Sequence, residues 1–95
     1  MSTRVSGSIE QQLEAMLTVA LEPITAEELA DLCSSDVAEV VEVLRRLQGE
    51  YRDQHRGFVL SELASGWSMQ TSPDVADAVT KFANRDVSHR LSAGA

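Results

Sequence analysis

The spacing of apolar side chains changes period twice along this chain, at Phe58 and again after Thr71. Outside that interval apolar residues recur three and four positions apart, which gathers them on one stripe of a helix. Inside it, FVLSEL and WSMQT are short β-rich runs separated by Ala64-Ser65-Gly66, the pattern of a hairpin. One island of period two therefore predicts a mainly α domain with a small β-hairpin.

The strongest helical stretch is SDVAEVVEVLRRLQGEY, residues 35–51. Val37, Val40, Val41, Leu44 and Leu47 form its apolar stripe, and Ser35 is its expected N-cap. Asp36, Glu39, Glu42, Arg45 and Arg46 lie on the other side. Two shorter helices precede it. Ser8 and Gln11 fit a capping box that opens the first. Ile9, Leu13, Met16, Leu17 and Ala20 make its stripe, and Pro23 stops it near Leu21. Thr25 and Glu28 repeat the capping box. Leu29 and Leu32 then face inward, with Ala26 and Cys33 alongside. Ser34-Ser35 is the tight turn into the third helix, so the second and third helices form a helix-turn-helix.

After the third helix, residues 53–57 read as a loop with an exposed His55. The hairpin follows. Ser72-Pro73-Asp74 starts a last helix, with Ser as cap and Pro at its first position. Val75, Val79 and Phe82 give that helix an inward stripe, and it is expected to end near Ala83-Asn84. The order helix, helix, helix, strand, strand, helix is that of a winged helix-turn-helix. Residues 1–7 read as a flexible leader, 8–84 as the winged-helix domain and 85–95 as a linker.

Charge bears on the partner. The net charge is −7 and the pI about 4.6. Residues 1–42 hold nine acids against one Arg, and residues 43–95 six acids against seven Arg and Lys. Domains that neutralise phosphates are basic, so this balance argues against nucleic acid as the main ligand. A dipolar layout suits docking onto a protein of complementary charge. The single cysteine, Cys33, has no partner within the chain and reads as a structural thiol in a reducing cytoplasm. No apolar run is long enough to cross a membrane. Paired carboxylates, metal-ligand spacing, a phosphate loop and a nucleophile–base pair are all missing from the pattern. The sequence therefore assigns no catalytic residue, metal or cofactor.

Three stretches carry a family resemblance: LEAMLTVALEPITAEELADL (13–32), EYRDQHRGFVLSELASGWSMQTSPDVADAV (50–79) and RLSAGA (90–95). They resemble the segregation and condensation protein B family over about residues 9–95. The most specific part is the hairpin: Arg56-Gly57-Phe58, the Ser65-Gly66-Trp67 turn, and Gln70-Thr71 followed by Pro73. Two positions depart from the family pattern, with Trp67 where Tyr is commoner and Ser68 where a longer, often basic residue is expected. The resemblance implies the first of two winged-helix domains, so that 85–95 leads toward a second one missing from this sequence. It also implies a non-enzymatic subunit of the bacterial SMC–kleisin chromosome condensation and segregation complex. Such a subunit is a cytoplasmic, chromosome-associated homodimer. It binds the kleisin, segregation and condensation protein A, and through it the SMC ATPase.

The competing reading is a dimeric winged-helix DNA-binding transcription regulator. In such readers the N-terminal residues of the third helix meet base edges and backbone. Here those residues are Asp36, Glu39 and Glu42. Only Arg45, Arg46, Arg52 and Arg56 could contact phosphates or an acidic partner. A two-stranded ribbon can press only one face on its own core, so the over-apolar hairpin needs further cover, either by bending around the same core or from a partner protein. Val43, Leu63, Trp67, Met69 and Phe82 are the expected protein-interface residues, and direct DNA binding is disfavoured.

Overall fold

The computed structural model describes residues 8–94; the expected leader, 1–7, lies outside them. Three helices come first: α1 (Ile9–Val19), α2 (Ala26–Cys33) and α3 (Val37–Asp53). The hairpin β1 (Phe58–Leu63) and β2 (Gly66–Thr71) follows, then a 3-10 turn (Pro73–Val75) and α4 (Ala76–Gly94). This is the winged helix-turn-helix order.

The caps of α1 and α2 form as their sequences dictate. The Gln11 backbone N–H donates to the Ser8 hydroxyl, and the Glu28 N–H to the Thr25 hydroxyl, both at 3.1 Å. Each satisfies one of the donors that a helix start leaves orphaned. The start of α3 differs from expectation. Asp36, not Ser35, is the N-cap, and its side chain makes no capping bond. Ser35 is occupied in closing α2. Its N–H donates to the Ala30 carbonyl at 2.9 Å and its hydroxyl to the Cys33 carbonyl at 3.2 Å. Ser34 takes the left-handed conformation (φ 53°) that lets the chain turn there.

The core sits where α1, α2, α3 and the inner hairpin face meet. Leu13, Leu17, Leu29, Val40, Leu44 and Leu60 are almost wholly removed from water. At roughly 1.5–3 kcal/mol for each buried aliphatic side chain, this cluster is the main stabilising term. Polar ties reinforce it. Tyr51 of α3 donates to a Glu14 carboxylate on α1, Arg46 meets Glu10, and the Gln48 side-chain amide donates to the Leu60 carbonyl at 2.9 Å. The Tyr51 ring meets Phe58 edge-on, with centroids 5.0 Å apart.

Hairpin register places Phe58, Leu60 and Glu62 opposite Thr71, Met69 and Trp67. Leu60 and Trp67 of this face enter the core, and Met69 is partly buried against it. The link expected to be merely extended does more. Ile24 pairs with Trp67 in an isolated bridge, with N–H to O distances of 3.0 and 2.8 Å. Gly66 permits it. Its φ is +135°, and a Cβ there would lie 2.6 Å from the Ile24 backbone.

Several expected burials are corrected. Leu32 is 58% exposed, because the short α2 turns Ala26, Leu29, Ala30 and Cys33 inward and Leu32 falls at the edge of that arc. Ala20 caps α1 and is exposed. The largest change is α4. It was expected to end at 83–84, yet it runs to Gly94; no Pro or Gly interrupts 84–93, so nothing breaks the helix there. Val75, Val79 and Phe82 do not face inward: they are 38%, 37% and 65% exposed. The main neighbour of α4 is the 3-10 turn before it. The radius of gyration is accordingly 16.5 Å, against about 12 Å for a compact chain of this length.

Candidate protein interface

The outer face of α3 is the surface a DNA-reading winged helix would present. Its first two turns expose Asp36, Glu39 and Glu42. The four arginines follow, and each is engaged within the chain. Arg45 pairs with Glu62 of β1 at 3.1 Å, and its guanidinium lies over the Trp67 ring at 5.5 Å. Arg46 meets Glu10 and reaches Glu50 at 3.9 Å. Arg52 lies 3.7 Å from Asp53, and the Arg56 Nε donates to the Gln54 side-chain carbonyl at 3.0 Å. These are exposed pairs, each worth about 0–1 kcal/mol of stability. Their consequence is electrostatic. Any phosphate would compete with carboxylates already beside Arg45, Arg46 and Arg52.

The five expected interface residues separate into two groups. Val43 and Trp67 are 5% and 3% exposed and belong to the domain's own core. Val43 extends the α3 stripe inward, since α3 is covered on a wider arc than five residues define. Trp67 is covered by the Ile24 bridge on its strand and by Arg45 over its ring. Neither side chain can reach a partner while the domain is folded. Leu63, at 39% exposure, and Phe82 are on the surface, and Met69 is half-buried. Sequence reasoning missed Leu21, Val37 and Phe58 as exposed apolar residues. Val37 and Phe58 each begin an element, and a stripe's end residue is the one its neighbours cover least.

Two hollows lie on the hairpin. One, of about 290 Å³, is lined by Thr18, Phe58, Met69, Gln70 and Thr71 at the hairpin's base. The other, of about 260 Å³, lies between the hairpin tip and the first turns of α2 and α3. Among the described residues, two groups depart from ordinary acidity. Burial, then the hydrogen bond to Glu14, and then the negative charges of Glu14 and Glu50, push the Tyr51 hydroxyl well above its usual range. Burial also pushes the Cys33 thiol up, away from the reactive thiolate. Among the described residues, no cluster of three His, Cys, Asp or Glu could hold a metal ion, and no helix is long and apolar enough to cross a membrane.

Known proteins share this arrangement. The family described as segregation and condensation complex subunit ScpB matches residues 11–95. The chain belongs to the ScpB family. Segregation and condensation protein B of Syntrophotalea carbinolica is 41% identical over 70 residues, which cover 74% of this chain and 36% of that protein. The crystal structure of ScpB from Mycobacterium tuberculosis superposes with a TM-score of 0.82 at 27% identity, over 90% of this chain and 54% of the other. The fold is also that of a dimeric ScpB N-terminal domain crystallised with a ScpA peptide. There the TM-score is 0.71 at 24% identity, over 77% of this chain and 91% of that one. The chain thus spans little more than a third of the first relative and about half of the second.

Proposed function

We propose that this chain is a non-enzymatic, cytoplasmic part of the SMC–kleisin chromosome condensation and segregation complex. In this reading it forms a homodimer and binds the kleisin subunit ScpA, and through it the SMC ATPase. The observation that carries the reading is the outer face of α3. The surface that would meet DNA starts with three carboxylates, and the arginines behind them are engaged by side chains of the chain itself. Family membership supplies the complex. A ScpB N-terminal domain was crystallised as a dimer with a ScpA peptide, which supports the partner class.

In this reading the dimer contact is made by Phe82 and Val79 on α4 and by the hollow at Phe58 and Met69. In a two-fold dimer the α4 stripe of each copy would meet the hollow of the other, so both exposed apolar surfaces are covered at once. The test is co-purification of this chain with the kleisin of the same organism, beside anisotropy titration with duplex DNA. Stable co-elution with ScpA, with no DNA binding at low salt, is the expected result. Tight DNA binding with a steep salt dependence, and no kleisin capture, would overturn the reading.

A further inference from the structure

The hairpin has two edges, and only one of them is closed. Register pairs Phe58 with Thr71 and Leu60 with Met69, and just beyond them the Ser72 N–H donates to the Gly57 carbonyl at 2.8 Å. In an antiparallel ladder, pairs that exchange hydrogen bonds alternate with pairs whose N–H and C=O groups point away from each other. With Gly57–Ser72 bonded, Phe58–Thr71, Leu60–Met69 and Glu62–Trp67 are the outward-pointing pairs. Two contacts agree with that phase. Ile24 exchanges both its bonds with Trp67 from outside the hairpin, and the Gln48 side chain reaches the Leu60 carbonyl from α3. The β1 edge lies against α3. The β2 edge is covered at Trp67 and no further, because the covering chain bends at residues 21–22 and enters through Pro23, which has no N–H. The outward N–H and C=O groups of Met69 and Thr71 have no partner among the described residues. Sheet edges are ordinarily blunted by charge, proline or cover. GWSMQT carries neither a charge nor a proline.

We propose that two copies of this chain join their β2 strands edge to edge, antiparallel about Gln70, into one continuous four-stranded sheet. This rests on the homodimer proposed above and adds its strand register. The free edge is self-complementary. A two-fold axis through Gln70 sets Met69 of each copy against Thr71 of the other, and each such pair exchanges its two outward bonds. These two residues are the whole free stretch, since Ile24 closes the edge on one side and the 3-10 turn begins at Pro73 on the other. So short an edge gives a longer peptide from another protein little to pair with, whereas a second copy fills it completely. No like charges meet at the axis. On the outer face the two Gln70 side chains come together; each holds its amide oxygen on the Ser61 hydroxyl at 3.0 Å, leaving the N–H groups to donate. The pairing is continuous with the α4 contact. Met69 and Thr71 line the hollow at the hairpin base, so each α4, which follows Thr71 by one short turn, starts beside the hollow of the other copy.

The test is register-specific cross-linking of the 95-residue chain at micromolar concentration, with mass by light scattering and helix content by circular dichroism. Cys33 is first replaced by Ser, so that the introduced thiol is the only one. At the axis the two Gln70 Cα atoms would lie about 4.5 Å apart, within disulfide reach. Ser68 is on the same outer face, yet its two copies would lie about 13 Å apart, four residues along the strand. Gln70→Cys should therefore form a covalent dimer under mild oxidation at least ten times faster than Ser68→Cys. Gln70 is exposed, so Gln70→Lys and Gln70→Glu should keep their helix content. Each sets like charges face to face and should weaken the dimer about tenfold or more. An equimolar mixture of the two should regain the dimer mass. A dimeric unaltered chain in which Gln70→Cys cross-links no faster than Ser68→Cys overturns the edge pairing and leaves the α4 contact standing. So does a Gln70→Lys variant that dimerises as tightly as the unaltered chain. A monomeric unaltered chain sinks both.

Discussion

Helices α3 and α4 are nearly the same length, 17 and 19 residues, and both carry apolar residues at helical spacing. Their fates differ. Val40, Val43, Leu44, Leu47 and Tyr51 of α3 are buried beneath α1, α2 and β1. Val79 and Phe82 of α4, and Val75 just before it, remain in water. Spacing shows that a helix has a face to be covered. It does not show whether the cover comes from the same chain. An isolated helix of this length is marginal in water, so the proposed dimer would supply the cover that the rest of the chain does not.

The contrast can be broken by substitution. Leu44→Ala opens a cavity in the fully packed stripe and should cost about 2–5 kcal/mol in urea unfolding. A cost below 1 kcal/mol would mean that α3 is not the centre of the core. Gly66→Ala should cost about 2 kcal/mol, because the positive φ and the approach to Ile24 both exclude a Cβ. Tyr51→Phe removes the bond to Glu14 and should cost about 1 kcal/mol at neutral pH.

The same change has a pH signature. The raised pKa of Tyr51 means that the folded state favours the neutral hydroxyl. Its stabilisation is complete below pH about 10, where an ordinary tyrosine titrates, and is lost as the pH rises above that. Tyr51→Phe should therefore flatten the alkaline limb of the stability curve. An unchanged limb would show that Tyr51 is as free as it is in an unfolded chain. The smallest effect on stability belongs to α4. Phe82→Ala should change monomer unfolding by no more than about 0.5 kcal/mol, as an exposed substitution does.

Most of the fold was legible because local chemistry and burial agree for the first three helices. The caps at Ser8 and Thr25 and the period change at Phe58 each fixed an element boundary. What stayed hidden depended on contacts between elements. Ile24 gives no strand signal alone and pairs only because Gly66 comes to it. Val43 lies off the strict stripe and is buried because α3 is covered on a wide arc. Trp67 and Phe82 are both expected at an interface, yet Trp67 is buried and Phe82 exposed: a large apolar side chain marks energy, not location. The interface was legible as a class through the carboxylates of α3.

The most direct test of the difference between the two helices is light scattering at micromolar concentration on the unaltered chain and on Phe82→Asp, with circular dichroism on both. A helix held by a second copy predicts a mass near twice 10.3 kDa for the unaltered chain. The variant should then fall to a single mass with its helical domain intact. A monomeric unaltered chain, or a variant that stays dimeric, would contradict it.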